Sequence, residues 1–363
     1  MAFEKEISYY LQLDHPCIFL PAVQQAPRTT ITGQFHLSLS TAALFKSIRV
    51  RVIGRLRIPS YGLFSTQKRE EITLDETQNL AHTKSIQAIR LPEGDYEFAF
   101  AIALPRVALD TLVGPGHEYH SYAVEVVIQR SGFLKRDLVV SENLRIYKLH
   151  GPERSMGRGS QAVEGYSDKG MQYHISVPDT AVPHGSSFPV EGWFVPQTKG
   201  IILASVTVKV VESHDLKFEA TAAEAGLYDM PFVTWNAYHV IFEKSVGVGS
   251  CRDGGMGTII DICQISVPVQ LPRQAEACSQ SYSSNNIKIE HCLLLTAEVL
   301  GADGKYLETI TVRIPLHIYM APATTLEERC ESTGDEQSVE HCCSPPPIYG
   351  KHELDRVVTQ GLI

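Results

Sequence analysis

The chain has 363 residues, of which 44% are hydrophobic and 20% are charged, as in a folded globular protein with room for two or three domains. Its net charge of −9 argues against a nucleic-acid-binding surface over the whole molecule, which would need an excess of basic residues. The N-terminal residues lack the basic segment and apolar run of a signal peptide, and no stretch reaches the ~20 apolar residues that span a bilayer. We therefore expect a cytosolic or nuclear protein with no nucleic-acid partner and at most peripheral membrane contact.

Alternation of apolar and polar residues indicates β-strands along most of the chain. Runs with a period of two occupy residues 48–53, 122–128, 206–211, 287–290 and 310–314. Such alternation buries one face of a strand and exposes the other, and clusters of Gly, Pro, Asp and Asn separate the runs at short intervals. The pattern predicts an all-β protein of antiparallel, immunoglobulin-like β-sandwiches. Helical periodicity is scarce, and we expect a short helix near residues 104–112.

The stretch around the first of these runs, residues 46–57, has a positive bias. Its basic residues are Lys46, Arg49, Arg51, Arg55 and Arg57. If the segment is a strand, the odd-numbered arginines share one face. That face is either an ordinary solvated surface or a contact for acidic partner segments or anionic lipid, and the sequence leaves both open.

A polar, glycine-rich segment at residues 151–170 predicts a boundary between two domains. A second change in composition follows residue 320, because residues 324–340 are acidic and poor in large apolar side chains. The predicted organisation is an N-terminal sandwich at 1–155, a hinge at 156–170, a second sandwich at 171–320, and an acidic tether with a tail at 321–363.

Eight scattered cysteines include no Cys-x-x-Cys pair, so we expect reduced thiols. The one local cluster of ligand-type residues is His341, Cys342 and Cys343. A structural zinc site needs four ligands, usually in two spaced pairs, and partners for this cluster are absent nearby. We expect no metal and no other cofactor.

Two short runs spell catalytic motifs without the required geometry. Ser213, His214 and Asp215 are adjacent, and adjacent residues on a strand point to opposite faces. His117 and His120 are three residues apart, whereas the helical zinc motif needs a spacing of four. A turn leading into a strand explains this second run better. We therefore predict no catalytic residues.

Near the C-terminus the chain contains a Pro-Pro-x-Tyr motif formed by Pro346, Pro347 and Tyr349, with Ile348 as the spacer. Consecutive prolines hold the backbone in polyproline II, which aromatic-grooved WW domains bind at low entropic cost. The tyrosine adds a large amphipathic ring to the docked segment. The motif is either a WW-domain ligand or a loop packed on its own domain.

Three segments have recognisable patterns: residues 46–55 are similar to an xSIxVxxxGR strand, residues 91–100 to an LPxGxYxFxF segment, and residues 344–355 to the form SPPxYxxHxLD. Taken in this order along the chain, they resemble the arrestin family, specifically the fungal α-arrestins or arrestin-related trafficking adaptors. Further similar segments are residues 121–125, 175–185, 213–218 and 287–291.

The resemblance implies two tandem sandwiches joined by a short hinge and a cytoplasmic adaptor recruited to membranes. It also implies two kinds of partner: a HECT-type ubiquitin ligase bound through PPxY, and a membrane transporter or receptor as cargo bound by the arrestin body. One alternative is a structural scaffold with no ligase contact, and the main rival hypothesis is an arrestin fold recruited as an enzyme or binding protein for a small apolar metabolite. An enclosed apolar cavity with convergent polar groups would favour that rival.

Overall fold

The computed structural model describes residues 7–21, 28–58, 69–82, 88–105, 108–132, 136–149, 159–247 and 262–322. Within these residues the chain is almost entirely β-strand, with one short α-helix. The strands form four sheets that pair into two sandwiches, one before residue 150 and one after residue 158. The predicted all-β fold of two tandem sandwiches is confirmed.

The first sandwich packs a three-stranded sheet, in the order β1-β3-β7, against a seven-stranded sheet. The larger sheet has the order β2-β10-β9-β4-β5, with β6 beside β4 and β8 beside β9. The strands are β1 (Ile7–Leu13), β2 (Cys17–Leu20), β3 (Thr30–Leu39), β4 (Ala43–Ile58), β5 (Arg69–His82), β6 (Ile89–Leu91), β7 (Gly94–Ala103), β8 (Leu112–Gly114), β9 (His117–Arg130) and β10 (Leu138–Lys148).

The alternation seen in the sequence explains which faces meet in this sandwich. On β4, Ile48, Val50 and Val52 are fully buried, while the arginines between them point to the outer face of the sheet. Phe35 on β3 and Val124 on β9 are also fully buried and belong to the same core. Burial of such side chains stabilises the fold by about 1.5–3 kcal/mol each.

The second sandwich packs a four-stranded sheet, in the order β11-β12-β14-β17, against a six-stranded sheet. The larger sheet has the order β13-β20-β19-β15-β16, with β18 beside β19. The elements are β11 (Gln161–Tyr166), β12 (Met171–Val177), β13 (Ala181–Pro183), β14 (Ser187–Pro196), β15 (Ile202–Glu219), α1 (Ala222–Tyr228), β16 (Phe232–Gly247), β17 (Cys263–Gln270), β18 (Tyr282–Ser283), β19 (Ile287–Leu300) and β20 (Tyr306–Tyr319).

The one α-helix within the described residues, α1, connects β15 to β16. It begins with a capping box, in which Thr221 accepts from the backbone N–H of Glu224 and the Glu224 carboxylate accepts from the backbone N–H of Thr221. The helix ends at Asp229, which adopts a left-handed conformation with φ 50°. The helix expected near residues 104–112 was wrong, because the described residues there are irregular and β8 begins at Leu112. Pro105 disfavours a helix there, and Leu104 and Ala108 instead pack into the core of the first sandwich.

Both sandwiches contain the same departure from antiparallel pairing. β2 pairs in parallel with β10, the last strand of the first sandwich, and β13 pairs in parallel with β20, the last described strand of the second. Every other strand pair in the part of the chain that the structure describes is antiparallel. This repeated arrangement supports two tandem copies of one topology. The domain limits given above stay a prediction, because residues 150–158 lie outside the described part of the chain.

The two sandwiches contact each other through two apolar clusters, and we call this contact region the junction. In one cluster, Leu56, Leu112 and Tyr119 of the first sandwich pack against side chains of β15 and β19 that include Leu216 and Ile289. In the other, Tyr147 packs with Ala275 and Met320. Polar contacts surround these clusters: Arg145 lies 3.3 Å from Glu276, and Arg69 donates to the backbone carbonyl of Glu219 at 3.0 Å. The junction therefore fixes the two sandwiches against each other.

Candidate functional site

The predicted WW-domain ligand formed by Pro346, Pro347 and Tyr349 lies outside the described residues. The same holds for the acidic tether from residue 323 onward and for the cluster at residues 341–343. These assignments stay predictions.

The basic residues of β4 form a ladder of ion pairs on the outer face of the sheet. Arg51 makes two parallel hydrogen bonds to Asp75 on β5, at 2.7 and 2.9 Å. Arg55 contacts Glu125 on β9 at 2.5 Å and also lies 3.2 Å from Glu70. The carboxylates on the neighbouring strands therefore balance the positive charge that the sequence shows on β4.

The remaining basic residues of β4 differ in whether they have an acidic partner. Arg57 pairs with Glu118 and with Glu70. Lys46 is exposed and Arg49 is half-buried, and neither makes an ion pair with any residue that the structure describes. Among the basic residues predicted to contact anionic partners, Lys46 and Arg49 are therefore the two whose positive charge is not balanced by a carboxylate of the described sheet.

A second group of polar side chains is buried at the junction, and none of its members was predicted as a site residue. We call Tyr119, Glu212, His214, Cys278 and His291 the junction cluster; all five are almost completely buried. Tyr119 belongs to β9 of the first sandwich, and the other four belong to the second. Cys278 lies in the connection between β17 and β18.

The strand geometry of the second sandwich places the charged centre of the cluster. Glu212 and His214 are two residues apart on β15, so both side chains point to the same face. His291 on β19 stands directly opposite Glu212 in the antiparallel register. The three side chains therefore converge where β15 and β19 run side by side beneath the first sandwich.

The Glu212 carboxylate accepts hydrogen bonds from three donors. The Nε2 atom of His214 bonds to Oε1, and the Nε2 atom of His291 lies 3.0 Å from Oε2. The backbone N–H of Ser279 donates to Oε2 at 2.8 Å. Burial by itself raises the pKa of Glu212, but the bonds from His214 and His291 outweigh burial and hold this pKa well below its usual range. The carboxylate is therefore ionised inside the protein.

The outer nitrogens of both histidines are also bonded. A carboxylate only accepts, so Nε2 of each ring carries the hydrogen. The hydroxyl of Tyr119 lies 2.6 Å from Nδ1 of His214, and the hydroxyl of Ser281 lies 2.9 Å from Nδ1 of His291. Ser281 in turn accepts from the backbone N–H of Ile318 at 2.9 Å. These bonds fix the orientation of both rings around Glu212.

Cys278 contributes a thiol to the same site. Its sulfur, an oxygen of Glu212 and a ring nitrogen of His291 all lie within 4.8 Å of one another. Burial raises the pKa of the Cys278 thiol, and the negative charge of Glu212 raises it further. The thiol therefore carries its proton in this arrangement.

The backbone of the first sandwich closes directly over the cluster at Gly114. The Ser279 hydroxyl donates to the carbonyl of Val113 at 3.0 Å. A Cβ atom added at Gly114 would lie 1.9 Å from that hydroxyl oxygen and 3.1 Å from Oε1 of Glu212. Glycine is required here because no larger residue permits this approach of one sandwich to the other.

A second polar contact lies beside the cluster. Gln280 donates to the Asp110 carboxylate at 2.7 Å, again joining the two sandwiches. Near it, His120 Nδ1 donates to the carbonyl of Asp110 at 2.9 Å, and Nε2 accepts from the Thr73 hydroxyl at 2.7 Å. Burial lowers the pKa of His120 to about 4, and the bond to Asp110 offsets this only in part. His120 is therefore neutral at physiological pH.

Sequence reasoning rejected a triad at residues 213–215 and missed the pair on alternate positions. His214 is buried while Ser213 and Asp215 face the other side of the sheet, as predicted. One signal could have revealed the cluster: Glu212 and His214 occupy positions of an alternating strand at which apolar, buried residues are expected. A polar side chain at such a position needs a buried partner. Their partners, 66 and 79 residues further along the chain, cannot be found from spacing.

The junction cluster is closed to solvent, so its groups hold and orient one another and do not meet a substrate from outside. The structure also has a depression of about 610 Å³ beside β5 and β7, lined by Arg28 and by residues 76–78 and 101–105. Among these described residues Glu76 is the one acid, and the lining contains no histidine or cysteine. The depression is open to solvent and about half of its lining is polar, so it is not the enclosed apolar cavity that the metabolite hypothesis requires.

Comparison with known proteins defines the class of this fold. Residues 167–323 match the family model described as Arrestin (or S-antigen), C-terminal domain. The second sandwich is therefore similar to the arrestin C-terminal domain, and the predicted resemblance to the arrestin family is confirmed.

Over most of its length the chain is also similar to curated fungal proteins. The Probable HECT-type ubiquitin ligase-interacting protein creD of Aspergillus terreus is 24% identical over 366 residues, covering 94% of this chain and 60% of the relative. The HECT-type ubiquitin ligase-interacting protein creD of Emericella nidulans is 23% identical over 357 residues, covering 94% and 58%. The chain thus spans about three fifths of the length of these curated relatives. None of the helices in the described residues has the length and hydropathy to cross a bilayer.

Proposed function

We propose that this chain is a non-catalytic arrestin-like adaptor that links a HECT-type ubiquitin ligase to membrane transporters or receptors. The ligase would bind the tail through Pro346, Pro347 and Tyr349, and the arrestin body would bind the cargo. Ubiquitination of the cargo, followed by its endocytosis, would be the outcome.

One observation carries this proposal: the chain combines an arrestin body with a PPxY motif and aligns along 94% of its length with proteins named for their interaction with HECT-type ligases. A polyproline II segment ending in tyrosine is the ligand chemistry that WW domains bind. The motif and the relatives' names therefore point to the same class of partner.

A non-catalytic role is supported by the location of the reactive side chains. The histidines, the carboxylate and the thiol of the junction cluster are all buried; both histidines are hydrogen-bonded to Glu212, and the Cys278 thiol donates to the carbonyl of Ser279. A general base or nucleophile must reach the reacting atom of its substrate, and these groups are covered by the first sandwich. Their arrangement favours a structural role, and no feature of the depression beside β5 and β7 favours the metabolite alternative.

Recruitment to membranes would use residual positive charge on the first sandwich. Lys46 and Arg49 have no carboxylate partner among the described residues, so they are the two β4 residues best suited to anionic lipid or to an acidic cargo segment. The protein would be cytoplasmic and peripherally recruited.

The direct test measures binding of the full chain to isolated WW domains of HECT-type ligases by calorimetry. We expect Tyr349→Ala to remove most of the binding, because an aromatic anchor carries a large share of a small interface. Tyr166→Ala is the matched control, since Tyr166 is an exposed tyrosine on β11 outside the motif. Wild-type protein that binds no WW domain would contradict the proposal, as would unchanged binding by Tyr349→Ala.

A further inference from the structure

We propose that the junction cluster is a zinc site in which Glu212, Cys278 and His291 bind one Zn²⁺ ion. The proposal is independent of the adaptor function and replaces the expectation, drawn from the sequence, that the chain holds no metal. The ion would sit where the first sandwich covers the second.

The ligand set has the chemistry that zinc prefers. Zinc binds cysteine sulfur, histidine nitrogen and carboxylate oxygen, and a site with three protein ligands leaves one position for water. The three ligand atoms come from β15, the β17–β18 connection and β19, and all lie within 4.8 Å of one another. The 3.0 Å between Oε2 of Glu212 and Nε2 of His291 is close to the separation of about 3.3 Å expected for two ligands on a tetrahedral ion.

The charges of the ligand set also suit zinc. Glu212 is fully buried, its described partners are two histidines and one backbone N–H, and no lysine or arginine pairs with it among the described residues. One Zn²⁺ bound by a carboxylate and a thiolate gives a net charge of zero at the site.

The proton balance is equally simple. On binding Zn²⁺, Cys278 loses its thiol proton to solvent, and the sulfur–zinc bond takes the place of the S–H bond. His291 releases Nε2 to the metal by moving its single ring hydrogen to Nδ1. Nδ1 then donates to the Ser281 oxygen, which already lies 2.9 Å away. One proton leaves the protein for each zinc ion bound, and nothing is oxidised or reduced.

The surrounding hydrogen bonds match those that orient metal ligands in proteins. Ligating histidines usually bond a hydroxyl, carbonyl or carboxylate through the other ring nitrogen, and ligating carboxylates are themselves hydrogen-bonded. Here Ser281 bonds the far nitrogen of His291, while His214 and the N–H of Ser279 hold the Glu212 carboxylate. Since Tyr119 bonds His214 across the junction, the ion would stabilise the contact between the sandwiches.

The experiment measures the zinc content of full-length protein by elemental analysis after purification without chelators. We expect one zinc ion per chain in the wild type and in Cys292→Ser, and a large loss of zinc in Cys278→Ser and His291→Gln. Cys292 is the matched control because it follows His291 on β19, carries a free thiol and lies outside the cluster. Wild-type protein with no more zinc than Cys278→Ser would overturn the proposal.

Replacement of zinc by cobalt tests the ligands without relying on the stability of the variants. The wild-type protein, stripped by a chelator and reloaded with Co²⁺, should show the thiolate-to-metal charge-transfer band of a cysteine-bound cobalt ion. Co²⁺ that produces no such band, or no uptake of either metal, would overturn the proposal and leave the cluster as a hydrogen-bonded contact alone.

Discussion

The hydroxyl of Tyr119 lies 2.6 Å from Nδ1 of His214, and this buried hydrogen bond joins the first sandwich to the second. The same His214 ring holds the Glu212 carboxylate through its other nitrogen. Burial, together with the charge of Glu212, raises the pKa of Tyr119, so the phenol keeps its proton and remains a donor. A single side chain of β9 thus completes the polar network of the second sandwich.

Tyr119→Phe should destabilise the protein because it removes the hydroxyl that donates to the buried Nδ1 atom of His214. We expect a loss of about 1–3 kcal/mol in the free energy of unfolding, measured by denaturant titration. Tyr166→Phe removes a hydroxyl from an exposed tyrosine and should change stability by no more than about 0.5 kcal/mol. Equal stability of Tyr119→Phe and wild type would mean that the hydrogen bond does not contribute to folding.

Gly114→Ala should also destabilise the junction, since the added methyl group would lie 1.9 Å from the Ser279 hydroxyl. Overpacking of this kind costs about 1–3 kcal/mol. The double variant with Ser279→Ala removes the clashing oxygen and should recover part of that loss, which a double-mutant cycle measures. Gly226→Ala is the control, because a Cβ atom there meets nothing within 4 Å. Additive losses in the cycle would contradict a direct clash.

Stability should fall as the pH is lowered, because histidines are buried in their neutral form. Burial lowers the pKa of His120 from 6.5 to about 4, and burial also lowers the pKa values of His184 and His239. The unfolded chain takes up protons between these values while the folded chain does not. The contribution of these neutral, buried histidines to the free energy of unfolding is therefore fully present above pH 6.5, and it is lost as the pH falls toward 4.

For His120 alone the loss over that window amounts to about 3 kcal/mol. His120→Gln should therefore be less stable at neutral pH but show a shallower decline between pH 6.5 and 4, as measured by denaturant unfolding at each pH. An identical slope in the variant and the wild type would exclude His120 as a source of the dependence.

The arginines of β4 should differ in how much they contribute to stability, because some form ion pairs within the sheet and others do not. Arg55→Ala removes the partner of Glu125, whose side chain is 15% exposed, and we expect a loss of about 1 kcal/mol. Arg49→Ala removes no ion pair among the described residues and should change stability by no more than about 0.5 kcal/mol. Thermal and denaturant unfolding of the two variants provide the measurement. A larger loss for Arg49→Ala would show that the proposed division is wrong.

If Lys46 and Arg49 contact anionic lipid, a variant with both residues changed to glutamate should bind anionic vesicles more weakly than the wild type, with an unchanged melting temperature. Because each basic residue near an anionic surface contributes about 1 kcal/mol, the affinity should fall at least tenfold. Co-sedimentation with vesicles at several salt concentrations measures this, and neutral vesicles are the control. Equal binding by the variant would remove these residues from the membrane proposal.

The strands could be predicted from the sequence because their cause is local. Ile48, Val50 and Val52 alternate with basic residues on β4, and the same period recurs on β9, β15, β19 and β20. Any strand with one buried and one exposed face shows this period of two, regardless of which strands it pairs with. The helix expected near residue 104 failed because a short apolar stretch fits a packed linker as well as a helix, and only the surrounding sandwich decides between them.

The sequence alone determined the all-β class, the tandem arrangement and the resemblance to the arrestin family, since periodicity and ordered motifs are properties of the linear chain. Only the tertiary structure decided which residues meet at the junction. Glu212 and His291 face each other because β15 pairs with β19, and Cys278 and Tyr119 reach them from separate parts of the chain. Contacts between residues so far apart depend on strand register and on the packing of one sandwich against the other, and neither is encoded in local spacing.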